Sequence, residues 1–127
     1  MPKSPLYKRL SSTLVALRNC EANGNSEWAE KHAERIKKMM SHAPHGGGFD
    51  SGTTLDMDVS GERRLVFNTA YHHMSEHGYY NGWTEHTVKV TPSFAGFDLK
   101  ISGRNRNDIK EFIADSFEIF LDTETDE

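Results

Sequence analysis

Four of the seven histidines, three of the four tyrosines and one of the two tryptophans lie between Tyr71 and His86, a stretch of sixteen residues. An imidazole can move a proton near neutrality, ligate a divalent metal, or hydrogen-bond through both ring nitrogens. His72, His73 and His86 are the candidate metal ligands. With Glu85, they would leave coordination positions for a water that the metal activates for hydrolysis. Without a metal, His72 and Glu85 make a candidate acid–base pair, and His72, His73, Glu85 and His86 are together the candidate catalytic set for a small hydrolase or nuclease. The stretch contains no His-Glu-x-x-His, and the chain has no nucleophile-elbow pattern. Tyr79, Tyr80 and Trp83, set among Gly78 and Gly82, suit a different task. Tyr and Trp present large contact areas at little entropic cost, so these three are candidate binding residues.

A second candidate is Arg104-Asn105-Arg106, just ahead of a helical pattern. Free backbone N–H groups at a helix start attract anions, and arginine adds bidentate recognition of phosphate or carboxylate. Arg63-Arg64 would extend a basic edge and make a nucleotide or nucleic acid a plausible ligand. The run Gly46-Gly47-Gly48 lacks the following Lys-Ser/Thr and the preceding strand of a phosphate-binding loop, so it reads as a joint.

The elements that must position these groups follow from periodicity. Ser4 as cap and Pro5 at the first helical position open a helix carrying Leu6, Leu10, Leu14 and Leu17 on one face. Asn25 or Ser26 caps a second helix with Trp28, His32, Ile36 and Met39 or Met40 along one side, and Pro44 stops it. Its Lys, Arg and Glu residues fill the remaining surface. Beyond residue 52 the period becomes two. Four strands are expected: Leu55 to Val59, Leu65 to Met74, Trp83 to about Val90, and Phe97 to Ile101, with turns near Ser60-Gly61, Gly78-Tyr79 and Thr91-Pro92-Ser93. A final helix carries Ile109, Phe112, Ile113, Phe117, Phe120 and Leu121. Pairing around Gly78-Tyr79 sets Tyr71 opposite His86 and Thr69 opposite Val88. One face then holds Leu65, Phe67, Tyr71, His73, His86 and Val88, and the other Asn68, His72, Trp83, Glu85 and Thr87.

The order of elements argues for an α+β fold: two N-terminal helices, a four-stranded antiparallel sheet and a C-terminal helix, with the helices packed on one sheet face. A chain of 127 residues is expected to be a single domain. Within it, 1–44 is a helical hairpin, 45–52 a Gly-rich joint, 53–102 the sheet, 103–121 the last helix and 122–127 an acidic tail. The net charge of −4 and pI near 6.0 argue against a chain-wide nucleic-acid footprint. The one cysteine, Cys20, excludes an intramolecular disulfide and reads as a small apolar packing residue. No run reaches the roughly 20 apolar residues of a membrane helix, and no signal-peptide pattern opens the chain. A soluble, cytoplasmic protein with no membrane contact is the expectation.

Several strings carry a resemblance: Asn19-Cys20-Glu21, Glu27-Trp28-Ala29-Glu30-Lys31-His32, Gly48-Phe49-Asp50-Ser51-Gly52-Thr53, His72-His73-Met74, Gly78 to Val88 and Gly103 to Lys110. From about residue 14 to 121 the chain resembles an uncharacterised family of small hypothetical proteins encoded by bacteriophages and prophages. The resemblance implies an accessory protein acting inside a bacterial host, of the kind that binds host or viral machinery, counter-defence inhibitors included. It implies no catalytic residue.

The residues and the resemblance together favour a non-catalytic binding protein without a cofactor, its partner a host or viral protein. Two alternatives stay open: a histidine- or divalent-metal-dependent hydrolase, and a nucleotide- or nucleic-acid-binding protein. An edge strand or the open sheet face would also support a homodimer.

Overall fold

The computed structural model describes residues 4–45, 47–49, 52–57, 64–93 and 96–125. The element order is β1 (Ser4–Pro5), α1 (Leu6–Ala22), α2 (Ser26–Met40), β2 (Thr54–Met57), β3 (Leu65–Met74), β4 (Tyr80–Ser93), β5 (Gly96–Gly103), α3 (Asn107–Asp122) and β6 (Glu124–Thr125). This is a mixed α+β arrangement whose main sheet is antiparallel, with strand order β2-β3-β4-β5. The chain divides into two compact units, Met1–Ala43 with Ile119–Glu127, and Pro44–Glu118. No helix among the described residues is long and apolar enough to cross a membrane.

In the first unit, α1 buries Leu6, Leu10 and Leu14, three of the four leucines expected on its inner face, and Leu17 is half-buried. The start differs from the sequence expectation. Pro5, not Ser4, is the N-cap, and it offers no capping side chain. Ser4 and Pro5 instead pair with Thr125 and Glu124, and the Leu6 amide donates to the Thr123 carbonyl at 2.8 Å. Asn25 caps α2 as expected, its side chain accepting from the Trp28 amide at 3.4 Å. Gly24 supplies the positive φ of 71° between the two helices. The apolar stripe expected on α2 is only partly buried, with Met39 inside and Trp28 45% exposed. The Lys31 ammonium stands 4.5 Å from the Trp28 ring centre, a cation–π contact that suits an aromatic left at the surface. Cys20 is half-buried. Phe120 and Leu121, at the end of α3, are buried.

In the second unit, the sheet sets Leu65, Phe67 and Thr69 of β3 beside Val90, Val88 and His86 of β4, on the face that also carries Leu55 and Met57 of β2 and Leu99 and Ile101 of β5. The α3 helix covers this face: the Phe117 ring lies 5.2 Å from Phe67, and Phe49 stacks on Phe112 at 5.5 Å. Phe67, Val88, Ile113 and Phe117 are fully buried.

Three local expectations are corrected. The pairing sets Thr69 opposite His86, and Tyr71 opposite Thr84, two residues away from the expected register. A shift of two keeps every side chain on its face, so the two face inventories stand. Strand β4 is also longer than expected, beginning at Tyr80 and running through Thr91-Pro92-Ser93, which had read as a turn. Pro92 is tolerated because it pairs only with Phe97 of β5, beyond the last β3 partner at Val90, so its missing N–H breaks no ladder bond on that side. Part of the Gly-rich joint is ordered against the sheet. Phe49 bridges Tyr71, and the His72 amide donates to the Gly48 carbonyl at 2.6 Å. The expected turn at Ser60-Gly61, Val59 and Arg63 lie outside the described residues.

Candidate functional site

The candidate residues converge at the β3–β4 hairpin, in the second unit. Ser75 to Tyr79 form its turn: the Ser75 amide donates to the Tyr79 carbonyl at 2.8 Å, and the Ser75 hydroxyl accepts from the Tyr79 amide at 3.0 Å. Gly78, at φ 82°, supplies the left-handed step that closes it. A register shift between His72 and Met74 twists the hairpin end, as a bulge does.

The histidines of the candidate catalytic set are divided between the faces. His72 lies directly across from Trp83 on the open face, and its Nδ1 meets the Tyr80 hydroxyl at 2.8 Å. Glu85 shares that face, opposite Ala70. His73 lies on the covered face, with its Nε2 2.7 Å from the Thr84 hydroxyl. His86 is also on the covered face and is only 3% exposed. No three His, Cys, Asp or Glu groups among the described residues are placed to share a metal ion. The geometry thus brings His72 and Glu85 to one surface and separates His73 and His86 from them.

The aromatic candidates are brought together and left in solvent. Tyr79 is 72% exposed, Tyr80 54% and Trp83 61%, and Met74, the cross-strand partner of Tyr80, is 58% exposed. The His72–Tyr80 hydrogen bond and the 5.6 Å contact between their rings hold Tyr80 beside the His72–Trp83 pair. Next to this cluster, a shallow hollow of about 580 Å³ is lined by Asn68, Ala70, Trp83, Glu85, Thr87 and Ser102. The Thr87 hydroxyl donates to Asn68 Oδ1 at 3.0 Å, which fixes the amide on its floor.

The Arg104-Asn105-Arg106 segment does not present one surface. Arg104 is exposed, but Asn105 is buried, with neither amide atom meeting a protein partner. Arg106 pairs with Asp108 at 3.3 Å and shares a hollow of about 380 Å³ with His72, His73 and Tyr71. One arginine of the second candidate therefore joins the first.

Both ring nitrogens of His86 are likewise without a protein partner. Burial holds its pKa below the ordinary 6.5, and the Thr84 backbone beside the ring opposes that shift as the smaller influence. Below pH 6.5 the unfolded chain takes up a proton that native His86 refuses. Native stability should therefore fall as pH drops from about 6.5 toward the depressed native pKa, with a slope of up to about 1.4 kcal/mol per pH unit. His86→Leu should flatten that part of the curve, read from urea midpoints between pH 7 and pH 5. Parallel curves for the two proteins would refute the assignment.

The fold is an α+β arrangement, and the candidate site is an aromatic and histidine-bearing hairpin end on its open sheet face. Comparison with known proteins finds no matching family model, no matching curated protein and no matching solved structure.

Proposed function

We propose that this chain is a non-catalytic binding protein that grips a protein partner with the β3–β4 hairpin, in the bacterial and phage setting that the resemblance implies. The observation that carries this reading is the joint exposure of Met74, Tyr79, Tyr80 and Trp83 on a hairpin whose turn and His72–Tyr80 bond are already formed. Large aromatics and methionine are enriched at the centres of protein interfaces. A surface ordered before contact loses less entropy on binding.

The charge favours a protein over a nucleic acid. Between Tyr71 and His86 there is no Lys or Arg, and there are two carboxylates, Glu76 and Glu85. Nucleic-acid binding draws most of its affinity from cations set against phosphates. An aromatic platform with acidic neighbours suits a partner with apolar and basic groups.

Trp83→Ala and Tyr80→Ala should each cost about 2 kcal/mol or more of binding, a loss of roughly 30-fold, if these are the interface anchors. The measurement is capture of partners from host lysate by the full chain and by each variant, followed by titration of the partner recovered. Circular dichroism establishes that the variants are folded. Partners retained at unchanged affinity by both variants would remove the hairpin from the interface.

A further inference from the structure

Strand β5 forms one border of the four-stranded sheet, and its strand partner among the described residues is β4. A border strand offers backbone N–H and C=O groups along its outer side and can template a further strand. β5 has eight residues for this, against four in β2 at the opposite border. On the face covered by α3, Phe97, Leu99 and Ile101 of β5 are only half-buried, whereas Val88 and Val90 of the adjacent strand are buried. On the open face, Asp98 and Lys100 are exposed.

The charges on that open face form an unfinished pattern. Lys100 lies directly opposite Lys89 of β4, and Asp98 lies opposite Thr91. Like charges set directly across a ladder repel one another. Lys89, Asp98 and Lys100 form no ion pair among the described residues. One row of the sheet therefore reaches the border with two cations, and the next row reaches it with an anion.

We infer that β5 pairs antiparallel with β5 of a second copy of this chain, about a two-fold axis at Leu99, so that the two sheets become one. This register sets Asp98 opposite the second copy's Lys100, and Lys100 opposite the second copy's Asp98. The incoming carboxylate also offsets the repulsion between Lys89 and Lys100. On the covered face Leu99 meets the second copy's Leu99, and Phe97 meets the second copy's Ile101, which extends the apolar ladder where it is half-buried. Moving the axis to Asp98 sets two carboxylates against each other, and moving it to Lys100 sets two ammonium groups together. Charge thus selects one register and opposes its neighbours. The pairing occupies the β5 border of both copies, so it closes at a dimer. A single strand pair is a small interface, and the dimer is expected to dissociate in the micromolar range. The two β3–β4 tips stand at opposite ends of the joined sheet, and the pairing uses none of their aromatic residues.

The test is sedimentation velocity of the full chain from about 1 to about 500 µM, repeated with Asp98→Lys, Lys100→Asp and the double variant. Both side chains are exposed, so the substitutions spare the core, and circular dichroism checks the fold. Each single variant turns both attractive contacts into repulsive ones and should raise the dissociation constant of the dimer by about tenfold or more. Mixing the two single variants in equal amounts should restore a dimer, because every contact between copies is again of opposite sign. The double variant should dimerise alone for the same reason. A parent chain that stays monomeric over this range would overturn the proposal, as would one that assembles beyond a dimer. So would a dissociation constant unchanged in both single variants, or weakening that neither the mixture nor the double variant reverses.

Discussion

Phe117→Ala should destabilise the protein by about 3–5 kcal/mol, a large part of the roughly 5–15 kcal/mol that holds a domain of this size together. Phe117 has no exposed surface and is the fully buried ring by which α3 meets Phe67 of the sheet. It lies 5.2 Å from Phe67 and 6.4 Å from Phe49. Truncation leaves a cavity that these two rings would have to move to fill, and Phe67 is itself fixed within a strand paired on both sides. The lowered midpoint should appear in urea unfolding with little change in slope. A loss under 1 kcal/mol would mean that α3 is not seated on the sheet through this side chain. Phe112→Ala provides the contrast: it is 47% exposed and should cost markedly less.

Gly103→Ala is the second large effect, expected at about 2–4 kcal/mol, and it acts through the backbone. At φ 140° this glycine occupies a conformation that side-chain-bearing residues rarely adopt. An added Cβ would lie 2.6 Å from the Glu85 carbonyl oxygen and 3.2 Å from His86 Cα, both on the neighbouring strand. Neither can give way without pulling apart the β4–β5 ladder, where Gly103 pairs with His86. Gly24→Ala isolates the strain from the clash. Gly24 also has positive φ, at 71°, but nothing lies within 4 Å of its added Cβ, so its cost should stay near 1 kcal/mol. Equal losses in the two variants would show that the close approach at Gly103 has no energetic weight.

The layer plan was legible because its signals are redundant. Alternation along β3 and β4 assigns faces by parity, and parity survives the two-residue shift that separated the expected Tyr71–His86 pairing from the observed Thr69–His86 pairing. Exposure of the aromatic hairpin was only half legible: Gly78 and Gly82 mark a bend at Tyr79 and Tyr80, but the same rings suited closing the end of the core equally well, and only the fold places Tyr79, Tyr80 and Trp83 in solvent. The register was not legible, because it depends on how the Ser75–Tyr79 turn closes and on the irregularity after His72, which are matters of local geometry. Asn105 was read as part of an exposed basic edge, and only its tertiary surroundings reveal its burial.

Ser4 and Pro5 lie hand in hand with Thr125 and Glu124, so the first and last described strands share one edge. Segments that carry the chain onward from these two strands, whether a tag, a neighbouring module or a tether, set out side by side and compete for the same room. That edge belongs to the helical hairpin's unit, so cargo carried there would leave the ring-rich tip of the β3–β4 ribbon, which belongs to the other unit, with its own sequence and turn unaltered.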